Sequence, residues 1–309
     1  MSENTIFKRL TQLERVNFLL TNRIPRRLAT QFMGWFSRIE IEWVKNLSLF
    51  LWRLFADELD LDECKKSKFN SLHDCFIREL KDGARSVDQN PACLVSPCDA
   101  VIGAFGQIDG IELIQAKGFP YTLVDLLADP ALVERYRNGV YVTLRLKSTM
   151  YHRFHAPRDC RVLGVTYIAG DTWNVNPIAL KRIEKLYCKN ERAVINLNFK
   201  DSPLSVALVP VASILVASIK LNFIDPVLDL KYQGPRRISC DASFRKGEEM
   251  GYFQHGSTII VFAEKGFAID NSIKAGDIIR MGQSLLRFSS VDHKQSDRIL
   301  DGDEFVSEG

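Results

Sequence analysis

Five histidines occur in 309 residues, and two of them share the run Tyr151-His152-Arg153-Phe154-His155-Ala156-Pro157. Imidazoles concentrated in one loop suit acid-base work, because their ordinary pKa lies nearest neutrality. They also suit hydrogen-bonded structural roles or half of a metal site, although no further ligands follow at metal-binding spacing. A second cluster, Ser96-Pro97-Cys98-Asp99-Ala100, sets a carboxylate in a turn between apolar runs; alone, an Asp near Pro is a routine turn residue. The third, Gln254-His255-Gly256-Ser257-Thr258, places a hydroxyl after a glycine at the head of Ile259-Ile260-Val261-Phe262. Gly-Ser-Thr before a strand is by itself usually just a turn. In combination the clusters supply hydroxyl, imidazole and carboxylate, each in a glycine- or proline-marked turn.

The elements that must position these groups follow from periodicity. From Ile6 to about Leu61 apolar residues recur every three or four positions, which predicts two amphipathic helices broken near Ile24-Pro25. After about residue 63 the period becomes alternating. Val140 to Leu146 and Ile195 to Phe199 read as half-buried strands, with further strands at 162–168, 204–221, 258–262 and 285–288. Helices are expected at about 122–136 and 177–187. The fold class is α+β: N-terminal amphipathic helices (1–62), then a largely antiparallel β-rich barrel or sandwich (63–309) with a few helices.

Composition narrows the partners. Forty-six per cent of the residues are hydrophobic and 26% charged, enough for a large core, and the net charge is only +3, which argues against a nucleic-acid binder. That total joins unlike parts: residues 1–53 hold nine Lys/Arg against four Glu, or +5, leaving −2 for the rest. With Trp35, Trp43 and Trp52 in the same segment, an interfacial helix and a cap on the core are both open readings. Seven cysteines without a Cys-x-x-Cys spacing read as reduced thiols, and no metal set is evident. No secretory signal pattern opens the chain. The uncharged run Ser202 to Ile219 reaches the length of a spanning helix, but Pro203, Pro210 and its Val/Ile content favour two buried strands bending at Pro210.

The ordered set of motifs resembles the bacterial, pyruvoyl-dependent phosphatidylserine decarboxylase proenzymes. It comprises Ser96-Pro97-Cys98-Asp99-Ala100, Gln115-Ala116-Lys117-Gly118, the Tyr151 to Pro157 run, Gly170-Asp171, Asn174-Val175-Asn176, Asn190-Glu191-Arg192, Lys246 to Phe253 and Gly256-Ser257-Thr258. The resemblance implies that Ser257 attacks the Gly256 carbonyl and that the chain splits into a β chain (1–256) and an α chain (257–309). Residue 257 is left as a pyruvoyl group that forms a Schiff base with the substrate amine, replacing pyridoxal phosphate as electron sink. It implies His155 as base, Asp99 as the carboxylate orienting it, and His152 as candidate proton donor or substrate-carboxylate neighbour, with no metal. A lipid substrate then turns the basic, Trp-bearing helices into a docking element for an anionic membrane surface, peripheral on the cytoplasmic face of the inner membrane, without a transmembrane helix. A homodimer is compatible with this reading.

Three departures stand out. His255 precedes the scissile glycine where the family has Leu, Ala100 replaces Gly after Asp99, and Lys147-Ser148-Thr149-Met150 replaces Ser-Pro-Arg-Asp. Two other readings remain at this stage: a family member acting on a soluble amino acid, and a lipoyl-like or hybrid-barrel carrier module suggested by the turns of 266–286.

Overall fold

The computed structural model describes Phe18 and residues 25–55, 59, 61–116, 119–214, 218–254 and 257–289. Seven helices are bounded among them: α1 (Arg26–Phe36), α2 (Glu42–Phe55), α3 (Leu72–Phe76), α4 (Leu123–Leu127), α5 (Pro130–Tyr136), α6 (Pro177–Leu180) and α7 (Leu186–Lys189). The strands in the first half are β1 (Cys93–Val95), β2 (Ala100–Gln107), β3 (Glu112–Ala116), β4 (Phe119–Thr122), β5 (Val140–Leu146), β6 (Arg153–His155), β7 (Cys160–Ile168) and β8 (Arg192–Phe199). The second half adds β9 (Ser205–Val211), β10 (Ser218–Leu221), β11 (Leu228–Asp229), β12 (Arg237–Phe244), β13 (Glu249–Phe253), β14 (Ser257–Ala263), β15 (Phe267–Ile269), β16 (Ile278–Ile279) and β17 (Ser284–Phe288). The expected α+β architecture, helices followed by antiparallel sheets, is what forms.

An eight-stranded sheet in the order β12-β7-β8-β9-β14-β5-β2-β16 is the frame, and smaller sheets β11-β10-β13-β6, β1-β17-β15 and β3-β4 pack around it. Strand β14 is central: its residues pair with β5 from Ser257↔Leu146 to Ala263↔Val140 and with β9 from Thr258↔Val211 to Ala263↔Val206. Its seven residues are all buried, because each face meets a separate core. Ile259 and Val261 join the larger cluster, whereas Ile260 and Phe262 join a second one with Tyr136, Tyr187 and α4. The same two-sided burial corrects the half-buried reading of β5, where Tyr141 and Thr143 are as buried as Val142 and Leu144.

Several sequence boundaries shift for local reasons. The long second periodic run is two helices, α1 and α2, separated at 37–41; the first, 6–20, lies almost wholly outside the described residues. The helix expected over 122–136 breaks at Ala128, which turns left-handed (φ 52°), and α5 restarts with Asp129 capping the N–H groups of Ala131 and Leu132. The one expected over 177–187 is likewise two short pieces, α6 and α7. Pro210 does not bend the chain. It sits inside β9 opposite Ile259, and the chain leaves the strand after Val211. No helix among the described residues is long and apolar enough to cross a membrane.

Helices α1 and α2 lie against the body yet keep an apolar face outward. Leu49 and Trp52 pack on the small cluster of Cys64, Phe69 and Cys75. Phe32, Trp35, Trp43 and Phe50 remain 59%, 64%, 69% and 61% exposed. Their cations are partly committed inward: Arg26 pairs with Asp171 at 2.5 Å and stacks 3.6 Å above Trp173, Arg27 donates to the Gly170 carbonyl, and Arg38 donates to Gln254.

Candidate active site

Ser257 opens β14, and its hydroxyl oxygen is buried with no hydrogen-bond partner among the described residues. A buried hydroxyl left unsatisfied costs on the order of 1–3 kcal/mol, so its retention at this position asks for a chemical reason. The residue lines a cavity of about 1050 Å³. One wall is α1 and α2, through Met33, Phe36, Trp43, Leu47 and Leu51; the opposite wall is the end of β5 with residues 145–149, the 174–177 segment and Ser213-Ile214.

His155 is held in one tautomer from both sides. Its Nδ1 lies 2.9 Å from the Gly247 carbonyl oxygen, an acceptor only, so Nδ1 carries the proton. Nε2 is then the basic nitrogen, and it accepts from the Tyr151 hydroxyl at 3.0 Å. Burial pushes its pKa below the ordinary histidine value, opposed by the Gly247 hydrogen bond and the charges of Glu249 and Asp99. His155 is therefore neutral at pH 7, the form a base requires.

Asp99 is 6% exposed, and Arg85 reaches it with Nε at 3.0 and 3.1 Å and Nη2 at 2.6 Å, while the Met281 N–H donates at 2.8 Å. Arg85 also pairs with Glu63 at 2.8 Å. The orienting bond to His155 thus comes from the Gly247 carbonyl, and Asp99 acts on the imidazole through its charge. The two residues are nonetheless neighbours in the fold, because the His155 N–H donates to the Pro97 carbonyl at 2.8 Å.

His152 is 1% exposed, its Nδ1 donates to the Met150 carbonyl at 2.7 Å, and its ring lies 4.1 Å from that of Phe76. Phe76 lines the cavity and stacks 5.7 Å from Trp52 of α2. The Phe253 N–H donates to the His152 carbonyl at 3.0 Å, four residues before Ser257. His152 and His155 face different partners, as expected of residues three apart in extended chain. Gly256 and His255 lie outside the described residues.

The remaining motifs build the frame. Arg153 ties β6 to Glu249 of β13 at 2.8 Å and to the Ile77 carbonyl. Asn190 joins the 170–176 segment to the residue that follows β9 by bonding the Trp173 N–H, the Trp173 carbonyl and the Ala212 carbonyl. A Cβ at Gly170 would stand 2.6 Å from the Asn190 carbonyl carbon, so that close approach requires glycine. Arg192 satisfies the carbonyls of Asp125, Leu126, Cys188 and Asn190. Sequence reasoning missed Arg85 and the Gly247 carbonyl; the first lies 14 residues from its partner in an irregular segment, and the second is a backbone group that no side-chain pattern reports.

The phosphatidylserine decarboxylase family model matches residues 72–287. The phosphatidylserine decarboxylase proenzyme of Aliivibrio fischeri is 32% identical over 272 residues, 84% of this chain and 91% of that protein. That of Haemophilus influenzae is 34% identical over 277 residues, with 85% and 92% covered, and that of Vibrio campbellii is 31% identical over 281, with 87% and 98%. A serine hydroxyl buried at the head of a central strand, a tautomer-locked histidine in the neighbouring sheet and relatives along most of the chain define a carboxy-lyase made as a proenzyme. The chain belongs to the phosphatidylserine decarboxylase family. That membership implies a pyruvoyl cofactor and self-cleavage into two chains.

Proposed function

We propose that Ser257 is both the nucleophile of self-cleavage and the origin of the pyruvoyl group, and that the bond cut is Gly256-Ser257. The observation that carries this is the buried, unpartnered Ser257 hydroxyl at the cavity wall. His155 Nε2 takes the hydroxyl proton after exchanging its Tyr151 bond for the serine, while Gly247 holds the imidazole in the required tautomer. The Asp99 charge stabilises the imidazolium that results. Attack on the Gly256 carbonyl moves the acyl group from nitrogen to oxygen. Loss of the residue 257 α-proton then expels the Gly256 carboxylate and leaves dehydroalanine, which takes up water and releases ammonia. The group so formed supplies an electron sink for the carbanion of decarboxylation. His152, one ring behind the cavity wall, is the proposed proton donor.

The substrate is drawn from the bilayer. Trp43, Leu47 and Leu51 are at once solvent-exposed and part of the cavity wall, so the cavity begins at the face that α1 and α2 present to the membrane. Trp rings at headgroup depth and an apolar helix face are the composition of an interfacial anchor. A space of about 1050 Å³ with an apolar wall is far larger than a free amino acid fills, which favours a lipid over a soluble substrate. We place the enzyme peripherally on the cytoplasmic face of the inner membrane, and a homodimer is compatible with it.

Intact mass tests the reading. Wild type should yield fragments 1–256 and 257–309, the smaller with a blocked N-terminus, whereas Ser257→Ala and His155→Ala stay whole. An uncut wild type, or a His155 variant that processes normally, defeats the corresponding assignment.

A further inference from the structure

Among the described residues Arg145 is a cation without an ion-pair partner. It lies in β5 directly opposite Thr258, the residue after Ser257, and lines the cavity. Its Nε is sealed from solvent with no hydrogen-bond partner, and neither an ion pair nor a hydrogen bond engages its side chain among the described residues. The other half-buried or buried arginines have partners: Arg26 has Asp171, Arg85 Asp99, Arg153 Glu249 and Arg158 Asp201, Arg192 donates to four carbonyls, and Arg78, whose Nε is likewise unpartnered, donates through its other nitrogens to the Cys75 and Thr149 carbonyls. Holding an unpaired guanidinium in a partly dry wall is costly, and the cost is recovered when an anion arrives beside it. Lys147 stands at the rim of the same cavity.

Resting on the proposed reading of Ser257, we propose that Arg145 receives the phosphodiester of the phospholipid and so sets where the headgroup lies. Two anions of the substrate could pair with it, and the chemistry chooses between them. The carboxylate loses its charge as carbon dioxide departs, so a guanidinium gripping it would stabilise the ground state more than the transition state and slow the reaction. The phosphodiester keeps its charge from substrate through product, and pairing with it tightens binding uniformly. Arg145 is one position along β5 from Leu146, the residue paired with Ser257, and both Arg145 and Ser257 line the one cavity, so a single headgroup in that space can meet both. The planar guanidinium fork suits two phosphate oxygens at once.

The test uses the mature enzyme with short-chain monomeric lipids. Arg145→Met should self-cleave like wild type and show a KM for phosphatidylserine raised about tenfold to a hundredfold, with kcat within about threefold. Its calorimetric Kd for short-chain phosphatidylglycerol, which keeps the phosphodiester but has neither amine nor carboxylate, should rise by the same factor. Arg145→Lys should recover part of both. An unchanged Kd for phosphatidylglycerol would overturn the proposal, as would a kcat loss at constant KM, equal competition by inorganic phosphate, or a Lys variant that no longer self-cleaves. Failure of the underlying reading is seen separately, in a wild type that is not cut before Ser257.

Discussion

Replacing Trp35 and Trp43 together by Ala should weaken membrane docking about a hundredfold while leaving the body folded. The two side chains are 64% and 69% exposed, so neither supports the core. A Trp buries at most about 150–250 Å²; two-thirds of that is roughly 100–165 Å² per ring still open to a bilayer. At about 25 cal/mol per Å² each ring offers roughly 2.5–4 kcal/mol on full insertion, and about half of that at headgroup depth. The pair is then worth about 3 kcal/mol, or about a hundredfold in the partition coefficient. Cosedimentation with vesicles of mixed anionic and neutral phospholipid reads this directly, with intact mass confirming that self-cleavage still occurs. A second readout follows from the inward commitment of Arg26, Arg27 and Arg38: raising the salt from 0.05 to 0.5 M should weaken wild-type binding only about tenfold or less. A double variant that binds within about threefold of wild type would refute the docking argument, and a steep salt response would show that charge, not apolar surface, carries it.

Other outcomes follow from groups already described. The rate of self-cleavage, timed by mass spectrometry on freshly synthesised proenzyme, should stay flat down through pH 6.5 and fall in acid, because burial lowers the pKa of His155; a midpoint at or above 6.5 would contradict its role as neutral base. Glu191 is wholly buried, and its carboxyl is pushed up to about 8. The folded protein therefore holds a proton at neutral pH that the unfolded chain releases, and stability should fall as pH rises from about 4.5 to about 8. Glu191→Gln should raise stability by roughly 2–4 kcal/mol at pH 7.5 and by almost nothing at pH 4.5, as read by calorimetry in the uncut Ser257→Ala background; a Gln variant melting lower at pH 7.5 would negate this. At Gly251 an added Cβ would overlap the Lys220 carbonyl oxygen of the paired strand. Gly251→Ala should cost about 1–3 kcal/mol, at the upper end since backbone cannot step aside; an unchanged melting temperature would argue against the β10-β13 register.

The strands and the order of the site motifs were legible because each rests on local pattern: Val140 to Leu146 alternates, and Gly256-Ser257-Thr258 precedes an unbroken apolar run. What was not legible depends on contacts made far away in sequence. Tyr141, Thr143 and Arg145 look like an outward face, and only a second core on that side of the sheet makes the first two buried. Ala128 gives no hint of a left-handed break, since alanine favours helix and the φ of 52° is imposed by its surroundings. Pro210 suggests a corner, yet a central strand accommodates it. Asp99 stands in a motif that the sequence displays, but Arg85, the cation that pairs with it, comes from a loop with no periodicity.

The place of Ser257 in the sheet governs how the molecule can be made more than once. With the proposed cut before it, every strand from β14 onward belongs to a separate 53-residue chain, and β14 stays locked between β5 and β9, with β16 on β2 and β17 on β1. The precursor folds as one molecule, independent of concentration; the severed pair must find each other in solution before the central strand can be replaced. Unfolding the mature enzyme therefore erases information that covalent continuity supplied, and recovery on dilution from denaturant becomes second order in protein. The chain assembles its sheet once, while still whole, and afterwards persists by the slowness of its unfolding.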